Sequence, residues 1–161
     1  MKWAVSLILA CCGIAISIDA IALEDYIGFS ADAVKSSGNG VNHTAAGLTG
    51  LISARPSRYY GYEEQIGVLG KVGPYSSNAE VDFALAGFLP FGGSGLDLYG
   101  KAGAVAAYSS GNVFNTGYTY GAGVEYLYSK GVIRLGLQHF NVGKSPSLAT
   151  KLVGIAFLFK L

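Results

Sequence analysis

Few side chains in this chain could carry chemistry, and their spacing says more than their number. Glu63, Lys101, Glu125 and Arg134 stand in segments otherwise rich in apolar and glycine residues. Two acids and two bases can neutralise one another if the fold brings them together, and a charge buried without a partner is costly. His43 and His139 lie far apart, without cysteine or acidic neighbours, which makes a poor metal site. The run His139-Phe140-Asn141-Val142 contains no serine, so the imidazole has no nucleophile to activate. Gly92-Gly93-Ser94-Gly95 lacks the Lys-Ser/Thr and the helix that complete a phosphate loop, and reads as a turn. No catalytic, cofactor or metal role is assigned; the four charged residues read as an interior ion-pair network.

The elements that must position these residues are clearest in residues 118–143. Tyr118, Tyr120, Ala122, Val124, Tyr126 and Tyr128 recur at every second position, with Thr119, Gly121, Gly123 and Glu125 between them. That period of two predicts a strand with one apolar face. After Ser129-Lys130-Gly131, Ile133, Leu135 and Leu137 alternate with Arg134, Gly136 and Gln138, so the two runs fold into a hairpin with Glu125 and Arg134 on one face. The same alternation places Glu63 with Gly61 and Gln65 against Tyr60, Tyr62, Ile66 and Val68, an apolar face that Glu64 interrupts. It places Lys101 with Asp97, Tyr99 and Gly103 against Leu98, Ala102 and Ala104. Similar segments at 26–34, 44–54, 80–89 and 151–161 bring the expected strands to eight. Connections at 35–43, 74–79, 109–116 and 141–150 read as long and polar; those at 55–58, 90–95 and 129–131 read as mostly shorter.

Composition narrows the class. Charged residues are only 13% and hydrophobic ones 51%, low and high for a domain in water. The formal net charge is +1 and no basic run could track a phosphate backbone, which excludes a nucleic-acid partner. Residues 1–22 read as a cleavable signal peptide: Lys2, an apolar stretch, then Ala20-Ile21-Ala22 as the cleavage site. Both cysteines, Cys11 and Cys12, leave with it, so residues 23–161 form one domain without disulfides. Beyond the signal no apolar run approaches the ~20 residues a membrane-spanning helix needs, so any crossing is by strands. In a closed barrel that crosses a bilayer the apolar face meets lipid and the charges and glycines turn inward.

Gly123-Val124-Glu125-Tyr126, Arg134-Leu135 with Gln138, and Asn141 with Gly143 resemble the transmembrane domain of the outer membrane protein A family of small barrels. So do residues 61–71, with Gly61, Glu63 and Leu69-Gly70-Lys71, and the run Leu89-Pro90 followed by 98–103. The resemblance implies an all-β, eight-stranded, up-and-down antiparallel barrel in the outer membrane, non-enzymatic; the alternating connection lengths then put both termini in the periplasm, and the peptidoglycan-binding domain often attached to such barrels is not expected. It implies a network of Glu63, Lys101, Glu125 and Arg134 whose pairs exchange to gate small solutes. Val153, Ile155, Phe157, Phe159 and Leu161 resemble the C-terminal assembly signal of such barrels, although the last residue is not aromatic. Partners are then outer membrane lipids, the barrel-assembly machinery and an extracellular ligand at the loops; no cofactor is expected. Tyr59, Tyr60, Tyr62, Tyr126, Tyr128 and Phe159 would anchor the periplasmic interface and Tyr108, Tyr118 and Tyr120 the outer one. A lipid A deacylating barrel enzyme carries His-x-Ser-Asn where this chain has His139-Phe140-Asn141, so that activity is not expected. The alternative from another class is a soluble periplasmic barrel binding a small apolar ligand, with the apolar face inside.

Overall fold

The computed structural model describes residues 24–38, 41–70, 78–109, 113–142 and 148–161. The expected signal peptide, Leu23, and residues 71–73 of the segment expected as a strand over 59–73 around Glu63 lie outside the described residues. Period-two alternation becomes strands because β-branched and aromatic residues fit one pleated face while glycine and polar residues occupy the other. Eight strands result: β1 (Glu24–Gly38), β2 (Val41–Arg55), β3 (Tyr60–Leu69), β4 (Asn78–Pro90), β5 (Leu96–Ser109), β6 (Val113–Tyr128), β7 (Gly131–Val142) and β8 (Leu148–Lys160). Each is antiparallel to the next and β8 pairs back onto β1, closing the barrel.

Register fixes the barrel's shape. Following inward-facing partners from Tyr26 leads through Ser53, Glu63, Ala84, Gly103, Thr119, Phe140 and Thr150 to Ser36, which lies ten residues further along β1. That stagger tilts the strands by about 35–45° and leaves an interior that side chains can fill.

Several strands extend past the hydrophobic alternation. Residues 35–38 and 41–43, expected in a long connection, are paired strand. Likewise Asn78 and Ala79 belong to β4, Ser109 to β5, 113–116 to β6, 141–142 to β7 and 148–150 to β8. Backbone pairing propagates a register already set and needs no apolar side chain, so polar strand ends continue the ladder. Only 39–40 then separate β1 from β2, against 56–59 between β2 and β3. The expected alternation of long and short connections is therefore not observed. Between β4 and β5, Gly92 and Gly95 take φ of 59° and 74°, the left-handed region that favours glycine.

The two faces divide as a bilayer requires. Outward side chains include Leu48, Leu85, Leu137, Val153 and Ile155, with Leu48 and Leu137 62% and 61% exposed. Tyr59, Tyr60, Tyr126, Tyr128 and Phe159 are exposed near the end that holds the chain termini, and Tyr108, Tyr118 and Tyr120 near the other. Inside, charge does not fill the whole length. Val34, Leu69, Val105, Phe140 and Leu152 form an apolar cluster toward the end where β1 turns into β2. Tyr26, Leu51, Val132, Ala156 and Leu158 form a second toward the termini.

Candidate functional site in the lumen

Glu63, Lys101, Glu125 and Arg134 come from β3, β5, β6 and β7 and meet in the interior, because each sits on the inward parity of its strand. Glu125 and Arg134 are direct cross-strand partners. Arg134 forks between two carboxylates: Nη1 donates to Glu63 Oε2, while Nε and Nη2 donate to Glu125 Oε2 at 3.2 and 3.1 Å. Lys101 Nζ donates to the other oxygen of Glu63 at 2.7 Å, and Gln65 Nε2 donates to that same oxygen at 2.9 Å. Glu63 is fully buried and Arg134 is 3% exposed.

A fifth member escaped the sequence reading. Arg55, assigned to a turn, is the last residue of β2 and points inward, with Nη2 donating to Glu125 Oε2 at 2.9 Å and Nη1 2.8 Å from Oε1. Its guanidinium lies 3.9 Å from the centroid of the Phe88 ring and 5.0 Å from that of Tyr26. Arg134 lies 4.3 Å from the ring centroid of Tyr99. Aromatic faces thus supply cation–π attraction where water is excluded. Tyr99 reaches under Arg134 because β6 and β7 offer glycine there. A Cβ at Gly123 would come within 2.7 Å of Tyr99 Cε1, and one at Gly136 would overlap the tyrosine hydroxyl.

Farther from the termini the lumen changes character. Asp32 accepts from Ser30 Oγ at 2.7 Å and from Thr49 Oγ1 at 3.1 Å. Asp82 Oδ2 accepts from Gln138 Nε2 at 2.6 Å. Asp82 Oδ1 and both oxygens of Glu80 have no hydrogen-bond partner among the described residues, although both side chains are buried. Neither was included in the expected network, nor was Asp97, which is buried near the terminal end. A cavity of about 30 Å³ between Asp32, Gln65, Lys101 and Arg134 has room for roughly one water.

The histidines take no part. His139 is on the outer wall with its ring centroid 4.9 Å from that of Tyr120, while Asn141 donates to Tyr118 Oη at 2.8 Å. Among the described residues no group of three His, Cys, Asp or Glu could hold a metal.

No family model matches the sequence, and no curated protein does. Solved structures do resemble the fold. Neisserial surface protein A matches at a TM-score of 0.72 and 12% identity, over 85% of this chain and 97% of that one. The N-terminal β-barrel domain of Pseudomonas aeruginosa OprF matches at 0.60 and 16%, over 83% and 97%. Ail, the attachment invasion locus protein of Yersinia pestis, matches at 0.58 and 14%, over 86% and 97%. At such identities the likeness is one of architecture: the chain has the fold of the small eight-stranded outer membrane barrels.

Proposed function

We propose that this chain is a non-enzymatic integral protein of the outer membrane, with a lumen held shut by ion pairs and a surface role carried by its loop end. One observation carries the reading: the wall exposes Leu, Ile, Val, Phe and Tyr while Arg55, Glu63, Lys101, Glu125 and Arg134 are buried inside, the distribution a bilayer selects and water opposes. The soluble alternative needs the reverse arrangement. Heat-modifiable electrophoretic mobility tests the proposal, since a closed barrel has no free edge at which detergent unfolding begins. Unboiled and boiled samples should migrate differently and the protein should stay with membranes after osmotic shock. Equal mobility together with release into the soluble fraction rejects the reading.

Interaction at the loops gains support from Ail, which has been crystallised with the heparin analogue sucrose octasulfate. Gating by exchange of the Arg134 pairs is supported by the fork between Glu63 and Glu125. Single-channel recording of the Glu125→Gln variant reads it, and a silent pore in both forms leaves a structural role alone. An assembly signal in Val153, Ile155, Phe157, Phe159 and Leu161 is supported by their shared outward face at the chain's end. Phe159→Ala should then lower the yield of folded barrel in the membrane at equal expression, whereas Lys160→Ala should not.

A further inference from the structure

The outward wall carries a basic row near the end away from the termini. Lys35 on β1 and Lys151 on β8 are direct cross-strand partners, and Lys151 is also the partner of His139 on β7. Both lysines are exposed, on the same face as the lipid-facing residues. Like charges directly opposite each other on neighbouring strands are destabilising. Neither lysine has an ion-pair partner among the described residues. Strands β7 and β8 contain no acid among the described residues, and the outward acid of β1, Asp25, lies at the opposite end of that strand. Something outside the protein must therefore neutralise the row.

What lies beside the row narrows the occupant. Immediately toward the termini, Ala33, Val153 and Leu137 are paired across the same three strands, with Val153 and Leu137 49% and 61% exposed. Tyr120, cross-strand partner of His139, closes one side and stacks on Tyr118 with ring centroids 6.3 Å apart. The site is thus cationic at the rim and apolar beneath, a match for a molecule with anionic headgroup and acyl chains. Strands are about 4.8 Å apart, so the two ammonium groups and the hydrogen-bonding imidazole together spread over about 10 Å across three strands, wider than one phosphate. Phosphatidylethanolamine brings one phosphate with its own ammonium, and phosphatidylglycerol brings one phosphate; neither spans the row.

We propose that Lys35, Lys151 and His139 bind the phosphates of an acylated, multiply phosphorylated sugar lipid of the outer leaflet, whose chains lie over Ala33, Val153 and Leu137. The inference rests on the membrane reading above and deepens it by assigning the lipid to a place. Long lysine side chains suit the role, since they bury their stems along the wall and lift the ammonium to the headgroups.

The test uses the full chain folded in detergent, with bound lipid read by native mass spectrometry. The probes are bis-phosphorylated lipid A, its dephosphorylated form, phosphatidylglycerol and phosphatidylethanolamine. The bis-phosphorylated lipid should be retained preferentially, and Lys35→Gln with Lys151→Gln should weaken its binding about tenfold or more, on the scale of two lysine–headgroup contacts. Lys35→Arg with Lys151→Arg should restore binding, and Lys130→Gln, at the other end, should leave it unchanged. Heat-modifiable mobility checks that every variant is folded. Equal retention of phosphatidylglycerol, or unaltered lipid A binding by folded double-glutamine protein, overturns the site while leaving the barrel reading intact. A wild-type chain that never becomes heat-modifiable overturns both.

Discussion

The two halves of the lumen contain the same kinds of residue and solve opposite problems. Nearer the termini, Arg55, Lys101 and Arg134 share Glu63 and Glu125, so both of those carboxylates face at least two cations or donors. Toward the loop end, Asp32 and Asp82 rely on hydroxyls and one amide, and Glu80 has no hydrogen-bond partner among the described residues. The contrast teaches that burial alone does not make a charged network. What distinguishes the lower half is the geometry of arginine, whose planar fork can serve two acids at once, beside glycines small enough to admit Tyr99.

The largest effect should follow from breaking the lower half at its centre. Arg134→Ala leaves Glu63 and Glu125 facing each other with fewer cations, a loss of about 3–5 kcal/mol, measured by urea unfolding in lipid vesicles. With Glu125→Ala already in place the further loss should be smaller, because one of the two acids is gone; additive losses would mean that the pair does not interact. Next in size is Lys101→Met, which removes one donor from Glu63 but leaves Arg134 on it; about 1–3 kcal/mol is expected from one lost charged hydrogen bond.

In the upper half the same experiment should give almost nothing. Glu80→Gln replaces a buried carboxyl that has no hydrogen-bond partner among the described residues and should change stability by no more than about 1 kcal/mol, or raise it, since no paired interaction is lost. A loss as large as that of Arg134→Ala would erase the distinction between the halves. The smallest effect belongs to Lys160→Ala. Its pair with Glu24, at 2.6 Å, is partly exposed, and surface pairs contribute about 0–1 kcal/mol.

The parity of each strand was legible from the sequence because the alternation is strong wherever glycine or charge faces large apolar residues, as at Glu125 between Val124 and Tyr126. Where both parities are apolar the pattern carries no direction. Leu51 beside Ile52, Leu152 beside Val153 and Leu158 beside Phe157 each place one residue in a lumen cluster and one on the wall. The sequence reading expected charges and glycines inside and missed those apolar clusters for that reason. Arg55 was missed because it precedes Pro56, a turn signal, although counting parity back from Ser53 would have turned it inward. Asp82 falls on the inward face by its alternation with Val81 and Phe83, but no local pattern reveals that it has no ion pair among the described residues. The strand ends at 35–38 and 41–43 are polar on both faces, so pairing inherited from the register beneath them leaves no trace in composition.

The seam between β1 and β8 sets the order in which the barrel can form. Seven of its eight strand contacts join neighbours in the chain, but Tyr26 pairs with Lys160 and Leu161 N donates to Asp25 O at 3.0 Å, spanning nearly the whole sequence. Closing that long loop carries the greatest entropic cost of any step, so the ladder of neighbouring strands must accumulate first and wait as an open sheet. The waiting state has two sticky edges, one on each terminal strand. Folding speed is then one place where the first and last strands exert their control.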